Sequence, residues 1–214
     1  MHYGQGRYRA QFTALTPWAH AQLSASLGDA APYALQASLN ATHIGLPGKA
    51  AERNAADLRA HGALRDFTLD GTLQMDTARA QLQARLTPFD ATPLRSARLS
   101  SNALDPSAFA AGLPRAALNV QLDLGPSSAQ RLVGSLRVRN TRPGPIDQQR
   151  LPLHSLSATL AGDAQQASAH DLLIDLGAGG EIRGTLHWAQ PELQARLQVA
   201  RLNARALDGK LAAT

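Results

Sequence analysis

Alternate residues are apolar along most of this chain. That period of two is the constraint from which the other expectations follow, because an extended strand sends successive side chains to opposite faces. From Leu118 to Leu124 the apolar positions Leu118, Val120, Leu122 and Leu124 alternate with Asn119, Gln121 and Asp123. The next run sets Leu132, Gly134, Leu136 and Val138 against Arg131, Val133, Ser135, Arg137 and Arg139. The same alternation recurs in Ala21, Leu23, Ala25, Leu27; in Tyr33, Leu35, Ala37, Leu39; in Phe67, Leu69, Gly71, Leu73, Met75; and in Ala78, Ala80, Leu82, Ala84, Leu86. Toward the C-terminus it continues through Leu156, Ala158, Leu160, then Ile182, Gly184, Leu186, Trp188, then Leu193, Ala195, Leu197, Val199. These runs predict roughly ten to twelve strands of about 8 to 11 residues, long beside the usual five or six.

Short turn-forming stretches separate the runs: Gly28 to Pro32, Asp76 with Thr77, Gly125 to Ser128, Gly162 with Asp163, Gly177 to Gly180, and Ala189 to Pro191. Short connections imply antiparallel neighbours, so the chain reads as a meander of hairpins with one apolar and one polar face. Three segments break the pattern. Leu46 to Asn54 has Pro47, Gly48 and mixed charges and reads as a loop. Leu104 to Arg115 reads as a helical turn or two, with Asp105 as N-cap and Pro106 at the first helical position. Arg142 to Leu153, with Pro143, Gly144, Pro145 and Pro152, reads as an extended loop or a strand edge. Between Ala167, Ala169 and the later Leu172, Ile174 the apolar parity changes, which requires one extra residue and predicts a bulge near His170 and Asp171. The expected organisation is a β region over 1–103, a short helical connector over 104–116 and a second β region over 117–214, in one continuous sheet.

Chemistry-bearing residues form no recognisable constellation. The absence of cysteine removes disulfides, thiolate metal sites and thiol catalysis. The seven histidines, His2, His20, His43, His61, His154, His170 and His187, show no metal-ligand spacing. Asp66, Asp70, Asp123, Glu181 and Glu192 occupy turns or polar-face positions singly, and Ser100, Ser101, Ser127 and Ser128 stand outside any Gly-x-Ser-x-Gly elbow. Gly177-Ala178-Gly179-Gly180 joins two strands, whereas a phosphate loop opens a helix. The formal charge of +5 invites an anionic partner. Its arginines are nevertheless spread singly along strands without stacking aromatics, which argues against nucleic acid. No catalytic residue, metal site or cofactor is expected, and the chain does not read as an enzyme.

The apolar face is the remaining feature. Many of its positions are small (Ala21, Ala25, Ala37, Gly71, Ala80, Ala84, Gly134, Ala158, Gly184, Ala195), which suggests room for a hydrophobic guest. The alternative is a closed sandwich, in which a facing sheet about 10 Å away fills that space. Leu118, Val120, Leu122, Leu132, Leu136, Val138, Leu156, Leu160, Ile182, Leu186, Leu193 and Leu197 are expected to line a groove on this face.

Three stretches carry a family resemblance: Leu104-Asp105-Pro106-Ser107-Ala108-Phe109 with Leu113-Pro114-Arg115-Ala116; Gly134 to Asn140 running into Pro143-Gly144-Pro145-Ile146-Asp147 and Arg150-Leu151-Pro152-Leu153; and Asp171 to Gly180 followed by Ile182 to Trp188. Through them the chain resembles the long repetitive region of TamB-type translocation and assembly module proteins, within the AsmA-like group. The resemblance implies an all-β, elongated antiparallel meander curled into a taco-like groove with a hydrophobic interior. It further implies a place in the periplasm, in a parent protein anchored to the inner membrane. Phospholipid acyl chains would be the cargo, and outer-membrane biogenesis with an Omp85-type barrel partner the wider role. The segment shows neither the family's N-terminal anchor nor its barrel-facing C-terminal region, so barrel contact is expected from other parts of the parent. A chaperone or β-augmentation role in outer-membrane protein assembly is the second expectation, and a purely structural β-sandwich the third.

Overall fold

The protein is described from a computed structural model that covers residues 2–4, 6–16, 19–44, 54–75, 78–108, 112–127, 131–163 and 165–211. Residues 46–53 of the loop expected from Leu46 to Asn54, the turn at Asp76 and Thr77, and Phe109 and Ser128 lie outside the described residues. The chain is all-β and antiparallel. Its strands are β1 (His2–Gly4), β2 (Arg7–Thr16), β3 (Ala19–Gly28), β4 (Ala34–Thr42), β5 (Ala55–Ala63), β6 (Asp66–Met75) and β7 (Ala78–Leu86). They continue as β8 (Leu94–Leu104), β9 (Leu118–Pro126), β10 (Leu132–Asn140), β11 (Ser155–Gly162), β12 (Gln166–Asp175), β13 (Glu181–Ala189) and β14 (Glu192–Ala200). Strand order in the sheet is chain order, as a meander requires. The chain divides into two compact units, Met1–Leu99 and Ser100–Thr214, with the division inside β8.

Fourteen strands among the described residues exceed the ten to twelve expected. The additional ones include β5 and β8, whose inward positions are largely Ala, Gly or Ser and give weak hydrophobic contrast. Tyr33 belongs to the turn before β4, with φ of 58°, and is not part of that strand's apolar series. The turn expected from Gly125 begins later, because β9 runs through Pro126.

In the first unit the register stacks like side chains into rows. Phe12, Leu23, Leu39, Leu58, Gly71 and Leu82 are successive cross-strand partners from β2 to β7. Beside them runs Ala10, Ala25, Ala37, Ala60, Leu69 and Ala84. Directly opposed side chains are the unit of sheet stabilisation, so such rows reinforce the hydrogen-bond ladder strand by strand.

In the second unit the bulge falls where parity demanded it. Against β13 the pairing steps from Ala169 with Leu186 to Leu172 with Gly184, and against β11 from His170 with Thr159 to Leu173 with Ser157. Asp171 takes the left-handed conformation, φ 51°, which Asp tolerates better than most residues. Among the described residues of 104–116, Pro106–Ala108 forms a 3₁₀ turn, and Asp105 Oδ1 accepts the N–H groups of Ser107 at 3.0 Å and Ala116 at 3.3 Å.

The proline-rich segment 141–154 is pinned to one end of this unit by Asn140, which is 5% exposed. Its Oδ1 accepts the N–H groups of Ala117 (3.1 Å) and Arg142 (3.0 Å), and its Nδ2 donates to the Leu151 carbonyl (3.1 Å). Arg115 N–H donates to Gln149 and Leu151 N–H to Arg115, tying the same segments by backbone. At the same end the short helix α1 (Ala204–Leu207) lies on the 3₁₀ turn Gly177–Gly179, where a Cβ on Gly179 would fall 2.2 Å from Leu207 Cδ2.

Two substitutions follow from this accounting. Asn140→Ala strands the buried Ala117 N–H and removes the part-buried bonds to Arg142 N–H and the Leu151 carbonyl, and is expected to lower unfolding stability by about 1–3 kcal/mol in urea titrations followed by circular dichroism. At Gly134 an added Cβ would sit 1.8 Å from the Asp123 carbonyl oxygen, while at Gly125 it would meet nothing within 4 Å. Gly134→Ala is therefore expected to cost about 1–3 kcal/mol, and Gly125→Ala to be neutral or slightly stabilising in the same assay.

Candidate functional site

The period-two pattern becomes a surface only if register keeps every strand's apolar side on one face, and the pairing does this. In the second unit Val120, Val138, Leu156, Ile174, Ile182 and Val199 form one row from β9 to β14. A second row holds Leu124, Gly134, Leu160, Ala169, Leu186 and Ala195. Leu122 pairs with Leu136 and Leu136 with Ala158, while Leu132 pairs with Pro126 and Gly162. Gly184 pairs with Leu172 and Leu197, and Trp188 with Ala167 and Leu193. Leu118 stands opposite Asn140 at the end of β10. All twelve residues expected to line the apolar face thus share one face.

Their burial is incomplete. Leu118, Val120, Leu122, Leu132, Leu136, Val138, Leu156, Leu160, Ile182 and Leu186 are half-buried. Leu193 and Leu197, on β14, are 68% and 50% exposed. Among the described residues no large side chain is fully buried, and the buried apolar set is mostly alanine with Met75 and Leu172. A facing sheet at sandwich spacing would close over the leucines, whereas Leu193 and Leu197 stay open to solvent.

The small residues do something other than open a trench. Ala158 and Ala84 are each 6% exposed. Leu58 Cδ2 occupies the space over Gly71, at 2.7 Å from where a Cβ would stand. At Gly134 and Gly184 the neighbouring backbone itself comes close, with carbonyl oxygens of Asp123 and Arg196 at 1.8 and 2.0 Å from an ideal Cβ. The expectation that Ala and Gly leave vacant volume is corrected here. Glycine at these two positions permits close strand approach.

Three concave spaces among the described residues lie on the polar side. One of about 420 Å³ is lined by Gln11, Ser24, Ser26, Ser38 and Arg59 of the first unit. In the second unit one of about 880 Å³ lies by Arg183, Thr185 and Arg196, and one of about 610 Å³ by Arg137, Arg139, Ser155 and Ser157. Short side chains between long ones create these hollows, and the sequence pattern of alternation carried no sign of them.

Elsewhere the polar face is stitched by exposed ion pairs. Arg85 chelates Asp66 through Nε at 2.8 Å and Nη2 at 2.6 Å, and this hydrogen-bonded guanidinium holds the Asp66 carboxyl below its ordinary value. Arg183 beside Glu181 does the same for that carboxyl. Asp163 is lowered chiefly by the backbone N–H of Gln165, then by that of Gln166, both at 3.0 Å. His61 Nδ1 lies 3.5 Å from Asp70, and His20 and His43 bring their ring centroids to 4.9 Å. No group of three or more His, Asp or Glu among the described residues is placed to hold a metal ion. No helix there is long and apolar enough to cross a membrane.

Comparisons with protein-family models, curated proteins and solved structures found no match for this chain.

The lowered carboxyls set a pH dependence. A carboxylate whose folded pKa lies below its unfolded value stabilises above the unfolded value, near 4, and loses that contribution as pH falls through the lower folded one. The urea midpoint is expected to fall as pH drops from about 5 toward 2. Asp66→Asn should flatten this acid limb while leaving the midpoint at neutral pH only slightly reduced, since exposed pairs contribute little.

Proposed function

We propose that this chain is a stretch of a TamB-like periplasmic envelope protein whose apolar face carries phospholipid acyl chains between inner and outer membranes. On this reading the parent protein is held at the inner membrane, supports outer-membrane biogenesis, and meets an Omp85-type barrel through other parts of its length. The chain performs no catalysis. The observation that supports the proposal most is the set of unbroken apolar rows whose leucines remain half-buried or exposed.

Contiguous apolar surface beyond a few hundred Å² is uncommon on soluble proteins without a partner to cover it. An acyl chain laid along these rows needs no directed polar group. At about 0.8 kcal/mol per methylene removed from water, one chain gains on the order of 10 kcal/mol before ordering costs. The gradation of Leu against Ala gives such a chain a corrugated bed without fixed sites, which suits passage better than retention.

A second reading, strand addition, draws on β14. All nine of its residues are exposed, and its hydrogen-bonded neighbour in this chain is β13. An incoming outer-membrane strand would pair along its other side. Crosslinks to an unfolded barrel hairpin from β14, with none from β10, would favour this reading.

Photo-crosslinking amino acids at alternate positions test the lipid reading. With phospholipid vesicles, probes at Leu136 and Leu156 are expected to label lipid at least several-fold more than probes at Arg137 and Ser157. Equal labelling of both faces, or no lipid in native mass spectra of the purified chain, would overturn it.

A further inference from the structure

Arg137 and Arg139 occupy successive polar-face positions of β10, about 6.6 Å apart along the strand. Arg137 has Gln121 and Ser157 as its cross-strand partners, and Arg139 has Asn119 and Ser155. These six residues line the hollow of about 610 Å³, within the range of small-ligand sites. Three arginines of this unit have carboxylate partners: Arg131 with Asp163, and Arg183 and Arg201 with Glu181. Arg137 and Arg139 have none among the described residues.

The lining is rich in donors. Asn119 Oδ1 accepts the Ala103 N–H at 3.1 Å, which commits its acceptor and leaves its amide NH₂ as the free end. The hydroxyls of Ser155 and Ser157 have no hydrogen-bond partner among the described residues. The one carboxylate of the hollow, Asp175, stands across Ser155 on β12, about 10 Å from the β10 backbone, with Oδ1 occupied by the Gly177 N–H at 2.8 Å. Two guanidinium forks flanked by amide donors on β9 and hydroxyl donors on β11 match the oxygens of a phosphate, and a carboxylate on the far wall matches a hydroxyl group.

We propose that this hollow binds the phosphate group of a small hydroxylated ligand of the sugar-phosphate class, with Arg137 and Arg139 clamping the phosphate and Asp175 accepting from a ligand hydroxyl. The site is separate from the apolar face. The pleat puts Arg137 and Arg139 on the side opposite Leu136 and Val138, so the headgroup of a lipid lying on the leucine rows does not reach it. Its success or failure is independent of the lipid reading.

Amide chemical shifts of the full chain, titrated with glucose 6-phosphate, inorganic phosphate and glucose, test the proposal. Glucose 6-phosphate is expected to shift the amides of residues 119–121, 137–139 and 155–157 and to bind in the millimolar range or tighter, with inorganic phosphate weaker and glucose inert. The double substitution Arg137→Gln, Arg139→Gln should weaken binding about tenfold or more, while Arg196→Gln, on the same face outside this hollow, leaves it unchanged. The single substitutions Arg137→Gln and Arg139→Gln provide the same reading should the double variant fold poorly. No shift with either phosphate compound overturns the proposal, as does equal weakening by Arg196→Gln, which would reduce the effect to a diffuse positive field. Arginine-dependent sedimentation with phosphatidylglycerol vesicles, without binding of glucose 6-phosphate, would transfer the phosphate to a membrane surface and overturn the small-molecule assignment.

Discussion

The pleated antiparallel ladder is the interaction on which the rest of this structure depends. Each pair of strands fixes which residues oppose one another, and because side chains alternate, a shift of one residue would carry a whole apolar series to the wet side. Here the ladders hold Val120, Val138, Leu156, Ile174, Ile182 and Val199 in one row across six strands. Phe12, Leu23, Leu39 and Leu58 form a comparable row in the other unit. Among the described residues neither unit closes a large side chain fully away from water. Cohesion therefore comes from many lateral contacts, each modest, rather than from a deep core.

That economy changes what the small residues mean. In a packed interior an alanine facing a leucine fills leftover volume, whereas here Ala84 and Ala158 are the covered positions and the leucines form the outer surface. Glycine has a separate task, since at Gly134 and Gly184 a methyl group would strike a neighbouring carbonyl. The polar face is organised differently again, by cross-strand charge pairs such as Arg85 with Asp66 and by the hydrogen-bonded turn at Asp163. The two faces thus answer to different solvents and respond to different perturbations, the apolar one to amphiphiles and the polar one to acid and salt.

The strands were legible because period two is a local property, readable wherever leucine alternates with a polar residue, as from Leu118 to Leu124. It failed where contrast is low: β5 offers Ala56, Leu58, Ala60 and Gly62, and β8 mixes serine into both faces. The bulge near Asp171 was legible for the same local reason. Asn140 was not, since its three hydrogen bonds depend on how 112–117 and 141–154 return to the end of β10. The hollow beside Arg137 and Arg139 was equally hidden. It arises from serines on β11 standing beside arginines on β10, a relation between strands that no single segment states.

The bulge at His170 and Asp171 has a consequence for how such a chain can change its length. Its extra residue moves the apolar positions of β12 from odd numbers, Ala167 and Ala169, to even ones, Leu172 and Ile174, while both series still meet the same neighbours on β13. Loss of Asp171 would return the strand to simple alternation with both halves facing as before. Loss of one residue from the middle of β10, where no such reserve exists, would turn half the strand over and set arginines among leucines. The left-handed residue on β12 therefore marks a place where an extra residue is accommodated locally, so that this strand could gain or lose one residue without the neighbouring strands having to follow.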